Sequence, residues 1–176
     1  MEKGRGWRRY AWRRARAELL PKMPIEIVRR RVRRARELGL DYKSYAGIRA
    51  ATGRDVIALL FSDNALRLMK DGRMPPARAE TVGAIRKADV MAMVHAPHDP
   101  ARVMRLNGDL HRVARAPAFT ARWRDIRADV LTLIDGLPGD GVVVVGETWL
   151  EREWCEAARL AGYVPSETYF ASLANS

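Results

Sequence analysis

The chain has 176 residues, 48% hydrophobic and 30% charged, which is enough to bury a core in one domain or a small pair and too apolar for wholesale disorder. No apolar run approaches the roughly 18 to 20 residues of a membrane-crossing helix, and the first residues lack the apolar stretch of a secretory signal. Cys155 is the single cysteine, so no intramolecular disulfide forms and a cytoplasmic location is expected.

The formal net charge is +11, and residues 1–40 hold 14 Lys/Arg against 4 Asp/Glu, a net of +10. The excess charge is therefore an N-terminal arm on a near-neutral body. Such an arm suits phosphates, acidic lipid or an acidic protein face. Arginine outnumbers lysine 27 to 5. Guanidinium forks bind phosphate bidentately, although a codon preference writes the same pattern.

In chain order, Trp7, Ala11, Ala15 and Leu19 recur at helical spacing, with Arg8, Arg9, Arg13 and Arg16 around them, until Pro21 and Pro24 break the pattern. Trp7, Tyr10 and Trp12 interleaved with arginine can stack on bases, lie on anionic lipid or dock on the protein's own body. Met23 is an alternative start. A second basic helix is predicted over 25–38, with Ile25, Val28, Val32 and Ala35 on one stripe and Gly39 beyond its end. Its other faces carry Arg30 and Arg34 among six arginines.

A helix over 42–51, closed by Thr52-Gly53, precedes a short apolar helix over 55–61. Ser62 caps a third helix running to Lys70. Pro75 and Pro76 open a fourth, to about Lys87, with Ala79, Val82 and Ile85 inward. The run 90–95 reads as a short strand. A helix follows from Asp99-Pro100 to about Ala114, then one over 120–134 with Trp123, Ile126, Val130 and Ile134 on one face. Gly136-Leu-Pro-Gly-Asp-Gly141 is a turn, and Val142–Val145 is a β-branched run of the buried-strand type. A helix from about Thr148 to Leu160 ends the regular pattern.

A lone strand leaves its backbone unsatisfied, so 90–95 is taken as the partner of 142–145. The expected architecture is mainly α: a helical N-terminal half with a basic arm, and a small C-terminal α/β half with two short strands. The expected domains are 1–22 (basic arm), 23–88 (helical) and 89–176 (α/β).

Residues 42–87, through Val56-Ile-Ala-Leu-Leu-Phe-Ser-Asp-Asn-Ala-Leu-Arg-Leu-Met-Lys70 and the Gly72-Arg-Met-Pro-Pro76 turn, resemble the Cro/phage-repressor (XRE-type) helix-turn-helix family. The resemblance implies that Ala58 is the small residue where two helices cross and that 62–70 is a recognition helix. With Ala65, Leu66 and Met69 inward, Asn64, Arg67 and Lys70 face outward, and these side-chain types suit base edges and phosphates. Phe61-Ser62 is a shorter turn than the family's, and Asp63 and Asp71 would repel phosphate.

No constellation amounts to a catalytic or metal signature, so no enzyme, cofactor or metal is expected. His95, His98, Asp99 and His111 could offer metal ligands, but Pro97 denies them a helical face and no cysteine pair accompanies them. Glu147 lies at the carboxyl end of a strand, where catalytic groups collect, but a carboxylate there also suits the first turn of a helix. Trp149 and Trp154 are taken as packing.

The sequence therefore points to a nucleic-acid-binding protein, a small DNA-binding regulator of repressor type. Its contacts would come from Arg8, Arg9, Arg13, Arg30, Arg34, Asn64, Arg67 and Lys70. The rival is a protein-interaction factor, an inhibitor or adaptor of a nucleic-acid-processing complex, docking its arm on an acidic partner. A membrane partner is not expected.

Overall fold

The computed structural model describes residues 23–171. The predicted arm, with Arg8, Arg9 and Arg13, lies outside them. A boundary between Arg31 and Val32 separates two compact units, and the first helix, α1 (Ile25–Leu38), runs across it. From Val32 onward the chain folds around one sheet.

Helix α2 (Tyr42–Thr52) starts at Asp41, whose side chain accepts from the Ser44 amide, and ends where Gly53 takes a left-handed turn (φ 72°). Both ends match the sequence pattern. The next segment does not. Ala58–Ser62 is not helical but the strand β1, and it is joined by β2 (Asp89–Val94), β3 (Arg112–Arg115), β4 (Val142–Gly146) and β5 (Gly162–Pro165) in one five-stranded sheet. Every pairing is parallel and the order is β3-β2-β1-β4-β5. The architecture is thus α/β, not mainly α with two strands.

β1 is central. Ala58 pairs with Asp89 on one side and with Val142 on the other, so the two strands foreseen at 90–95 and 142–145 do not touch but flank it. Successive residues alternate between two cores, as a strand covered on both faces requires. Leu59, Phe61, Val90, Ala92, Val94, Val143 and Val145 pack on one face against α2, α3 (Asp63–Leu66), α4 (Pro76–Gly83), α5 (Pro100–Leu106) and α8 (Ser166–Ala171). Ala58, Leu60, Met91, Met93, Val142 and Val144 pack on the other face against α6 (Trp123–Leu133) and α7 (Trp149–Ala158).

Several local expectations change with the sheet. A five-residue apolar run carries no period that separates strand from helix, and the partners on either side of 58–62 decide for strand. The helix expected over 62–70 lasts one turn: Ser62 does cap it, but Arg67 adopts the left-handed conformation (φ 50°) and ends it. Met69, expected inward, is exposed, and so is Trp123 on α6. The helix expected to reach Ala114 stops at Leu106, because Asn107 turns its side chain back on the backbone. Its Oδ1 accepts from Met74 N at 2.8 Å, and its Nδ2 donates to Gly72 O and Val103 O. That frees 112–115 to become an edge strand. The domain boundary expected at 88/89 falls between two hydrogen-bonded strands of one sheet.

Candidate functional site

In an open parallel sheet, ligands bind where neighbouring strands send their chains to opposite faces, at the carboxyl ends. Here that point lies between β1, which leads into α3 on the first face, and β4, which leads into α7 on the second. The turn after β1 is Ser62-Asp63-Asn64 rather than a glycine-rich cradle. Side chains, not bare backbone, therefore furnish this crevice.

Asp63 opens α3 and is only 9% exposed. Its Oδ1 lies 2.7 Å from His95 Nδ1, just beyond the end of β2, and its Oδ2 accepts from the His95 backbone amide at 3.1 Å. Two contacts from one carboxylate fix both the position and the ring orientation of the histidine. Burial pushes the Asp63 carboxyl up, but the hydrogen bonds and charge of His95 outweigh it and leave it below its ordinary value. The hydrogen bond to Asp63 raises His95, against a smaller opposing effect of burial.

The imidazole stacks on Phe119 (centroids 5.0 Å, 14° between planes) and tilts against Trp154 at 5.9 Å. Its Nε2 has no hydrogen-bond partner among the described residues. His95 lines a cavity of about 440 Å³ with Arg115, Phe119 and Asp129. Phe119 is 67% exposed, an aromatic surface left open at the cavity's rim.

A second polar cluster spans the switch point. Glu151 is fully buried. One oxygen accepts from Asn64 Nδ2 at 2.6 Å, and the other accepts from the backbone amides of Glu147 and Thr148 at the start of α7. It therefore ties the end of β1 to the end of β4. Gly146 lets it approach: a Cβ there would meet Tyr163 Cε2 at 2.7 Å and Glu151 Oε2 at 2.8 Å. Glu147 stays exposed, with Ser166 Oγ donating to it at 3.4 Å. Trp149, expected as packing, is 68% exposed beside it, whereas Trp154 is buried as foreseen.

The expected nucleic-acid contacts do not form one surface. Arg30 is exposed on α1. Arg34 is consumed by the fold: it bonds Asp55 and Glu37 and the carbonyls of Val56, Arg86 and Lys87. Asn64 is held by Glu151, Arg67 is exposed at the end of α3, and Lys70 is exposed in the following loop.

Glu151 receives no site role from the sequence, which offers His95 only as a possible metal ligand and Asp63 only as a charge that would repel phosphate. Their signal is positional: once 58–62 and 89–94 are strands, Asp63 and His95 are the first residues past two adjacent carboxyl ends. Among the described residues, no group of His, Cys, Asp and Glu has the geometry of a metal site, and no helix is long and apolar enough to cross a membrane. No family model, curated protein or solved structure matches the chain.

Proposed function

We propose that the protein binds a small polar ligand at the carboxyl edge of its sheet and performs acid–base chemistry on it through His95. The observation that carries this reading is the Asp63–His95 pair. A buried carboxylate holds Nδ1 at 2.7 Å while the ring borders a cavity large enough for a metabolite. A carboxylate on one nitrogen sets the tautomer, orients the ring and stabilises the imidazolium that forms when the other nitrogen takes a proton. Phe119 gives a planar part of the ligand something to stack on.

The test is a panel of phosphate-ester, acyl-ester and nucleotide substrates, assayed with the wild type, His95→Gln and Asp63→Asn. Turnover should fall by about 10²-fold or more in His95→Gln, at a temperature where the variant is still folded by circular dichroism. If no substrate turns over, and none moves the His95 resonances in NMR titration, the reading is wrong. A variant that loses only stability would make the pair structural.

A second reading rests on the +10 charge of residues 1–40: the arm binds nucleic acid through phosphates, with little base selectivity. Affinity for duplex DNA should then fall with salt, each neutralised phosphate contributing about −0.9 to the slope of log K against log salt. No binding at about 50 mM salt would exclude it, and binding to acidic protein surfaces instead would favour an interaction factor.

A further inference from the structure

The His95 cavity is lined by two charged side chains that the acid–base reading leaves without a task, Arg115 at the end of β3 and Asp129 of α6. Both are exposed to solvent, and neither makes an ion pair among the described residues, with the other or with any third group.

Parallel pairing sets Arg115 opposite Val94, the residue before His95, and the Ala116 amide donates to the Val94 carbonyl at 2.9 Å. The side chain ties the two strand ends again. Arg115 Nη1 donates to the His98 carbonyl at 2.6 Å, and the His98 amide donates to the carbonyl of His95 at 3.0 Å. The guanidinium is therefore anchored to the turn that follows His95. The other arginine of β3 is fully engaged: Arg112 donates to the Leu133 and Asp135 carbonyls and pairs with Asp89. The single bond of Arg115 leaves its Nε and Nη2 donors without a partner among the described residues.

We propose that Arg115 binds a carboxylate of the ligand, and that the cavity takes a small planar monocarboxylate. The Nε–Nη2 edge of a guanidinium presents two parallel N–H groups, which match the two oxygens of a carboxylate. A phosphate monoester brings nearly two negative charges into a space that Asp129 borders, and one guanidinium does not neutralise it. The planar part follows from Phe119, whose ring is stacked on His95 and otherwise largely exposed, so an aromatic acid has a surface to lie on. Charge links the two halves of the site. Beyond the Asp63 hydrogen bond that raises His95 and the burial that lowers it, the Glu151 charge draws its pKa up and the Arg115 charge draws it down. An anion seated on Arg115 cancels that downward draw and makes His95 the stronger base. The assignment rests on the cavity being the ligand site of the acid–base reading, and it adds the class of the ligand.

The experiment titrates the full-length protein with benzoate, benzamide, acetate and phenyl phosphate at equal ionic strength, followed by calorimetry and by the His95 ring signals in NMR. Benzoate should bind one to one and raise the His95 pKa. Benzamide lacks the charge and should bind about tenfold more weakly; acetate lacks the ring and phenyl phosphate exceeds the charge, so both should also bind more weakly. Arg115→Gln should lose about tenfold or more of the benzoate affinity and none of the benzamide affinity, a selective loss that a general disturbance of the fold does not give. Should Arg115→Gln not fold, Arg115→Lys keeps the charge without the fork and should still bind benzoate more weakly than the wild type. Arg30→Gln, on the exposed side of α1, should match the wild type.

His95→Gln should retain benzoate binding while losing turnover, so failure of the acid–base reading is seen separately. The proposal is overturned if benzoate does not bind, if benzamide or phenyl phosphate binds at least as tightly, or if Arg115→Gln and Arg115→Lys hold benzoate as tightly as the wild type.

Discussion

At the scale of single residues, three side chains carry testable electrostatics. The His95 pKa is raised from its ordinary 6.5 and that of Asp63 lowered from 3.8. Stability contributed through His95 is complete below 6.5 and lost as pH rises through its raised value. That contributed through Asp63 is complete above 3.8 and lost as pH falls through its lowered value. The pair stabilises most between those limits. Urea unfolding of the wild type should therefore show stability declining as pH rises above 6.5, a decline that Asp63→Asn reduces. NMR titration should find the His95 pKa lower in that variant than in the wild type, since Asp63 supplies the main upward pull on the ring; an unchanged value would show that Asp63 is not its partner.

Arg34 belongs to the fold rather than to a nucleic-acid surface. Its guanidinium reaches Asp55 at 2.9 Å and the Val56 and Lys87 carbonyls at 2.8 and 3.0 Å, with its side chain 14% exposed. Asp55 is open enough to water to weaken that ion pair, and the two carbonyls count for more. Arg34→Met should cost about 2–3 kcal/mol by urea denaturation, against about 0.5 kcal/mol or less for Arg30→Met.

At the scale of elements, two glycines make opposite predictions. Gly146 ends β4 where a Cβ would lie under 3 Å from Tyr163 and Glu151, and the backbone amides held by Glu151 open α7. Gly146→Ala should cost about 1–3 kcal/mol and, by displacing Glu151, should broaden or shift the Asn64 side-chain amide signals. Gly47 sits within α2, exposed, with nothing within 4 Å of a Cβ. Gly47→Ala should stabilise by about 0.5–1 kcal/mol, since it removes backbone freedom from the unfolded chain without a clash.

Helix α7 also shields Cys155. Burial pushes its thiol up to about 11, so it should label slowly in the native protein at neutral pH and rapidly in urea.

At the scale of the whole molecule, the sheet makes one cooperative body of what the sequence divides at 88/89. β1 is hydrogen-bonded to β2 on one side and β4 on the other, and its side chains enter both cores. Circular dichroism and tryptophan fluorescence should thus report a single coincident unfolding transition for the region from Val32 onward. Leu60→Ala, which empties a fully buried position in the central strand, should lower that transition by about 2–5 kcal/mol. Two separated transitions, or a Leu60→Ala effect confined to one probe, would restore the two-domain division.

The sequence by itself determined the capped and periodic elements. The ends of α2 are written in Asp41 and Gly53, the core face of α6 in Ile126 and Val130, and β4 in an unbroken β-branched run, because each depends on neighbours within one or two turns. The identity of β1 was not legible. Residues 58–62 are short and uniformly apolar, and only pairing with segments about 30 and 80 residues away makes them a strand. β3 and β5, four residues each at the sheet's edges, are shorter than any period can mark. The site follows the same division. Asn64 is visible as a polar residue near a cap, but its partner Glu151 comes from another element. His95 gains its carboxylate only because parallel pairing sets the ends of β1 and β2 side by side, a proximity that belongs to the tertiary structure alone.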